Sequence, residues 1–326
     1  MSEDRLKQEQ ELGRSGVIVP PLCFGTSSLG DMPNTYGYSV DGARAKATVE
    51  AIFDGPARFL DTARNYGSGR SEARVGEAIR DRGGLPAGVV VSTKLDRDME
   101  TGRFDASRAR QSLEESLKAL NLDRVQLLHL HDPEHAASLD GVIGPDGAIA
   151  ELFKMKEEGL TDAVGLAAGR TDIMIPLLKD WDFDALITHN RFTLVNRHAD
   201  PMIDLAIERG ITVLNAAPYA GGVFAKGSAE HPRYVYQTAT DAMLEPVQRI
   251  EEICARHDVP PGAIALQFSM RDPRIASTIC GVSKAERIQQ TIDWANWAIA
   301  DQVWNEIASI PFDMADPEAT RAYEPD

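Results

Sequence analysis

Cysteine is scarce. Cys23, Cys254 and Cys280 are the only three in 326 residues, and no two of them form a CxxC pair. Neither a disulfide framework nor a cysteine-rich zinc site is expected from that spacing, and no metal is expected at all. Positive charge is also short, with 34 Lys and Arg against 50 Asp and Glu and a net charge of -16. No basic run tracks a phosphate backbone, so neither nucleic acid nor a membrane surface is an expected partner. No apolar stretch approaches the roughly 18–20 residues needed to cross a bilayer. The opening MSEDRLKQEQELGRSG is charged where a secretory leader would be apolar, and a cytoplasmic chain is expected. Interdomain linkers, solenoid repeats and low-complexity segments are missing too.

What remains is a chain that is 43% hydrophobic, enough to bury a large core. Its apolar residues fall into short runs rich in Val, Ile and Leu: LCFGT (22–26), RFLDT (58–62), GVVVSTK (88–94), RVQLLHLH (124–131), TDAVGLA (161–167), FDALITH (183–189), ITVLNAA (211–217) and IASTICG (275–281). Such runs read as parallel strands covered on both faces. Amphipathic stretches separate them, one per gap except the last, which holds two. Eight βα steps favour an α/β fold of the (β/α)₈ TIM-barrel type over an open doubly wound sheet. One catalytic domain is expected over 12–310, with 1–11 and 311–326 as terminal extensions and the polar tail loosely packed. Three connections, Ser27–Asp41, Asp132–Gly147 and Tyr219–Gln237, are long and follow strands. They would crowd the C-terminal face, where barrels keep their active sites.

Three strand ends carry reactive groups. Asp61 closes one strand, and Tyr66 follows in the loop of DTARNYGSGRSE. Lys94 ends VVVSTK, and His129 and His131 share one parity near the end of the next strand. Each alone reads as a cap, a solvated charge or rim packing. Together they form a proton-transfer set. A phenol is a poor base at neutrality. An adjacent ammonium favours the phenolate, and a carboxylate would hold that ammonium.

These motifs resemble the aldo-keto reductases, from about Leu12 to about Ile310. The resemblance implies a catalytic tetrad of Asp61, Tyr66, Lys94 and His131. His131 alone stands in the His-x-Pro setting, and His129 is the runner-up. It also implies nicotinamide cofactor contacts at Thr26, Asp61, Asn190, Gly281, Ser283, Arg287 and Gln290. No complete GxGxxG fingerprint accompanies a Rossmann unit, since position 72 is Glu. Glycine at 281, where NADP-preferring relatives often have lysine, points to NAD, with NADP possible through Arg287. The segment GLAAG (165–169) lacks the Ser-Asn or Asn that many relatives use to hold the nicotinamide amide. The phrases FGTSSLGDM, VSTKLDRD, LHDPE and NAAPYAGGVFA resemble the branch that oxidises cyclic hemiacetals, D-threo-aldoses such as L-fucose or pyridoxal, to lactones. The substrate is thus expected to be a small carbonyl or hemiacetal. Met32, Tyr36 and Tyr38 are expected on one wall of its pocket, with Phe192, Tyr219 and Phe224 on the other. A general NADPH-dependent aldehyde or ketone reductase and a non-catalytic nicotinamide-binding auxiliary subunit are the rival readings. A Schiff-base aldolase or isomerase using Lys94 is a third.

Overall fold

The structure is a computed structural model and describes residues 5–321. Eight strands close into a parallel barrel, each paired with its chain neighbours and the last with the first. They are β1 (Leu22–Gly25), β2 (Phe59–Asp61), β3 (Val90–Leu95), β4 (Val125–His131), β5 (Thr161–Ala167), β6 (Ala185–His189), β7 (Thr212–Ala216) and β8 (Ile275–Gly281). The outer ring comprises α1 (Gly42–Asp54), α2 (Arg70–Asp81), α3 (Ala106–Leu120), α4 (Ala148–Glu157), α5 (Thr171–Asp180), α6 (Asp200–Glu208), α7 (Asp241–Arg256), α8 (Pro261–Arg271) and α9 (Glu286–Ala295). A further helix, α10 (Asp301–Ala308), follows.

Apolar residues on the outward faces of the strands meet the buried stripes of the helices, as Phe24, Leu60, Val91 and Leu128 do against Val49, Ile52, Val75 and Ile79. A second, smaller core fills the barrel itself, with Cys23, Phe59, Leu127, Ala163, Leu214 and Ala276 packed together. Inward positions alternate with outward ones along each strand, so register decides which side chains reach the mouth. Asp61 lies opposite Ser92, and Lys94 opposite His129. His131 stands one inward step above His129 and opposite Ala167.

Three features depart from the sequence reading. Gln10–Glu11 pairs antiparallel with Ile18–Val19, and the buried Leu12, Val17 and Val19 of this hairpin join the inner core. Its strands are two residues each, too short to show a period. Helix α10 buries Val303 and Ile307, although no helix is expected there. The tail is not loose as far as residue 321, and 322–326 lie outside the described residues. Asp313 accepts a backbone hydrogen bond from Arg197 and donates one to Val195, and Glu318 is buried at 7% exposure. All three cysteines are buried and free, as the composition implies. Among the described residues no helix is long and apolar enough to cross a membrane.

Candidate active site

Asp61, Tyr66, Lys94 and His131 line one cavity of about 660 Å³ at the C-terminal mouth of the barrel. Register brings Asp61 and Lys94 inward from adjacent strands. The Lys94 Nζ donates to Asp61 Oδ2 at 2.7 Å and to the Thr62 carbonyl at 2.6 Å. Side-chain exposures of 2% and 6% make this a buried ion pair. Asp61 Oδ1 also accepts from Ser92 Oγ at 2.9 Å. The ammonium stands 4.8 Å from the centre of the Tyr66 ring, and the His131 ring meets Tyr66 edge-on at 5.9 Å.

Tyr66 reaches this position because two glycines allow its loop to press on the loop after β1. A Cβ at Gly67, where φ is +59°, would lie 1.9 Å from the Gly30 carbonyl oxygen, and one at Gly30 would lie 2.8 Å from that of Tyr66. Any side chain at either position would force the loops apart. Arg70 Nε clamps the same junction by donating to the Gly30 carbonyl at 2.7 Å.

The two histidines separate by depth. His129 is wholly inside the barrel, and its ring fits only because β5 has glycine opposite it: a Cβ at Gly165 would lie 2.3 Å from the imidazole. Burial, then repulsion from Lys94 and His131, pushes its proton affinity well below the ordinary histidine range. His131 is the residue at the cavity. Its Nδ1 lies 2.7 Å from Asp96 Oδ1, and its Nε2 lies 3.6 Å from Asp132 Oδ2. Burial opposes a charge on His131, but Asp132 and Asp96 outweigh it and raise its proton affinity.

The lowering of the Tyr66 phenol expected from Lys94 is not what dominates. Burial, followed by Asp61, Tyr36, Asp132 and Asp96, holds it well above its ordinary value. Asp61, in contact with Lys94, offsets the ammonium. Tyr66 is therefore a phenol in the free protein, ready to donate a proton. Beneath the site Thr93 Oγ1 donates to Glu72 at 2.6 Å, and burial lifts the Glu72 carboxyl to about 7.

The residues expected to touch the cofactor divide. Asp61 and Gly281 line the cavity. The Thr26 hydroxyl instead donates to the Asp61 carbonyl at 3.0 Å, tying β1 to β2. Asn190 is buried and donates to Glu318 in the tail at 2.6 Å. Ser283, Arg287 and Gln290 stand beyond the cavity, after β8. Arg287 is hydrogen-bonded to Gln290, and Ser283 accepts from Arg44 through its carbonyl oxygen at 2.7 Å and its Oγ at 3.3 Å. Sequence reading missed Arg44, which lies 239 positions from Ser283 in the chain.

The walls also divide. Met32 and Tyr36 line the cavity, whereas Tyr38 packs against the Tyr36 ring at 6.0 Å. The opposite wall is not the expected one. Phe192 packs at a tilt against Phe268 at 5.1 Å, Tyr219 packs edge-on against Trp294, and Phe224 is in the outer core. Their places are taken by Met99, Ile187, Tyr236 and, from the tail, Arg321. Arg97 and Asp132 add polar groups, and the buried Nη1 of Arg97 has no hydrogen-bond partner among the described residues.

The cavity continues past Ala216, Ala217 and Ile279 to Gly25, where an added Cβ would lie 3.2 Å from Ile279, and to Gly281, where it would meet nothing within 4 Å. This open floor beside the tetrad fits a flat nicotinamide ring, with Gly281, Ser283 and Arg287 on the side that would hold the rest of the dinucleotide. A bound nicotinamide would supply the hydride acceptor or donor.

Residues 21–311 match the model of the aldo/keto reductase family, and the chain belongs to that family. It is a catalytic, NAD(P)-type oxidoreductase of this class on a TIM barrel. The chain is 28% identical to a D-threo-aldose 1-dehydrogenase from a Pseudomonas species over 327 residues, covering 92% of this chain and 96% of the relative. It is 26% identical to a pyridoxal 4-dehydrogenase from Microbacterium luteolum, covering 94% and 98%. Its fold matches an aldo-keto reductase from Bacillus halodurans in holo form, with a TM-score of 0.76, 20% identity and coverage of 96% and 99%.

Proposed function

We propose that this enzyme oxidises a cyclic hemiacetal to a lactone, with Tyr66 as the group that exchanges the proton of the reacting oxygen. The observation that supports this most is that Arg97, whose buried Nη1 has no hydrogen-bond partner among the described residues, and Asp132 both line the cavity. A guanidinium that lacks an acceptor and a carboxylate that can accept from hydroxyls suit a substrate bearing several oxygens. The aromatic faces of Tyr36 and Tyr236 suit a ring. The similarity to aldose and pyridoxal dehydrogenases points the same way.

In this reading Lys94 and Asp61 form a neutral pair beneath the reacting centre, and His131 binds the substrate oxygen beside Tyr66. Tyr66 as a phenolate takes the hydroxyl proton on oxidation and returns it on reduction. NAD is the proposed cofactor. Arg44 and Arg287 are already engaged with Ser283 and Gln290, and position 281 carries no cation. The NADP reading draws on Arg287; Lys226 does not strengthen it, because burial, then Arg287 and Arg233, disfavours its charged form.

The test is a spectrophotometric screen of nicotinamide reduction pairing NAD and NADP with L-fucose, other D-threo-aldoses and pyridoxal. Turnover of a hemiacetal, weakened selectively by Arg97→Met, is the expected result. Activity confined to simple aldehydes with NADPH would replace this reading with that of a general reductase. Nicotinamide binding without any turnover would favour an auxiliary role.

A further inference from the structure

The carboxylate of Asp96 has no part in the tetrad, yet it touches both the His131 ring and the backbone of Asn65, the residue before Tyr66. It is 1% exposed and follows directly on β3. Its Oδ1 lies 2.7 Å from His131 Nδ1. Its Oδ2 accepts the backbone N–H of Asn65, the residue before Tyr66, at 2.8 Å. Its own backbone is pinned by α3: the N–H donates to Ser112 Oγ at 2.9 Å, and the carbonyl accepts from Arg108 Nε at 3.0 Å.

We propose that Asp96 is a positioning residue that holds His131 as an imidazolium, donating to the substrate oxygen through Nε2, and that fixes the Tyr66 loop at the same distance from that oxygen. The inference rests on reading His131 and Tyr66 as the groups at the reacting centre. A carboxylate at Nδ1 requires a proton on Nδ1. A neutral ring so fixed would have a bare Nε2, which can accept but not donate. Donation to a carbonyl oxygen therefore needs the doubly protonated ring, and the surroundings supply the countercharge. Asp96 faces one ring nitrogen and Asp132 the other. Lys94 opposes the charge, but Asp61 on β2 compensates it. His129, below on β4, stays neutral, and Tyr66 presents an uncharged phenol. Burial opposes a charge on Asp132, but His131, then His189, His135 and Arg97, outweigh it and lower its proton affinity; the last three line the same cavity. The single bond to Asn65 then makes His131 and Tyr66 move as one unit, because a shift of the Asp96 carboxylate would displace both.

The experiment follows the imidazole nitrogens of the ¹⁵N-labelled full chain by NMR, assigning His131 among the seven histidines by its loss in His131→Gln. In the unmutated protein both His131 nitrogens carry protons at neutral pH, and the ring titrates above the ordinary histidine range. In Asp96→Asn the midpoint moves down. There kcat falls about 10–100-fold, the range typical of outer-shell partners of a reacting histidine's kind, while KM changes little, and Asp96→Glu recovers part of the loss. A singly protonated ring in the unmutated protein, or a His131 midpoint unmoved in Asp96→Asn, would overturn the proposal. The first of these needs no Asp96 variant, so a failure of Asp96→Asn to fold leaves it decisive. The NMR readout is independent of turnover. A midpoint that moves as stated in a protein that oxidises no hemiacetal would refute the functional reading alone.

Discussion

Lys94→Met is the substitution whose consequences the structure specifies most fully. It removes the only ammonium from a pair whose side chains are 2% and 6% exposed and leaves the Asp61 carboxylate with Ser92 Oγ at 2.9 Å. It also strips the Thr62 carbonyl of a 2.6 Å hydrogen bond. Breaking a buried pair from one side costs about 3–5 kcal/mol, because the remaining charge is stranded. In a chain of this size such a loss lowers the melting temperature by roughly 4–7 °C. Replacing both partners, Asp61→Asn with Lys94→Met, removes the stranded charge and should return most of that stability. Activity should not return in the double variant, since the ammonium that favours the phenolate is gone. In the single variant the pH at which oxidation rises should move upward, because loss of a cation and exposure of Tyr66 to an uncompensated Asp61 both disfavour its ionised form. Urea unfolding of the wild type, both single variants and the double variant gives the coupling energy, and pH–rate profiles give the second arm. A coupling below about 1 kcal/mol, the range of exposed pairs, would refute the view that this pair is desolvated and mutually dependent.

Tyr66→Phe should lower hydride transfer by about 10²–10⁴-fold, the usual worth of a positioned acid or base, with nicotinamide binding by fluorescence titration nearly unchanged; near-normal turnover would exclude Tyr66 from proton transfer. Glu72→Gln should flatten the dependence of stability on pH. The Glu72 carboxyl titrates near 7 when folded, against an ordinary 4.5, so the unfolded chain releases its proton first and stability declines as pH rises between those values. The decline amounts to roughly 3 kcal/mol at most, and denaturant melts at pH 5 and pH 8 that show the same slope in both proteins would contradict it. Gly281→Lys should shift kcat/KM from NAD towards NADP, since the position is open and a cation there can pair a 2′-phosphate. An NADP preference in the wild type that Arg44→Ala abolishes would show that the preformed arginine already serves.

The barrel was legible because each strand is a compact Val-, Ile- and Leu-rich run, and because strand ends carried the residues of interest. The resemblance preferred His131 over His129 for its His-x-Pro setting, and of the two it is His131 that lines the cavity. Contacts between distant segments were not legible. Arg44 meets Ser283, and Glu318 meets Asn190, through side chains that carry no periodic signal. The aromatic wall was misread because Phe192, Tyr219 and Phe224 follow strands yet turn into the outer layer. The tail was misread because its buried groups are polar. A Glu is rarely enclosed unless paired, and its partners His189, Asn190, Arg191 and Arg321 could not be seen to converge.

The docked tail divides labour along the chain. The residues proposed to handle the proton come from β2, β3, β4 and the loop after β2, all before position 132, whereas Arg321 reaches the same cavity from beyond the last helix. Its anchors are the Asp313 backbone, paired with Val195 and Arg197, and the carboxylates of Asp316 and Glu318, seated among residues that follow or end β6 rather than among the tetrad. Exchanging the segment after 310 would therefore redraw the entrance while leaving the chemistry in place. In protein engineering, that makes the tail a cassette. Among diverging copies of such a gene, new substrates could be acquired through changes in a dozen or so terminal codons without passing through an inactive intermediate.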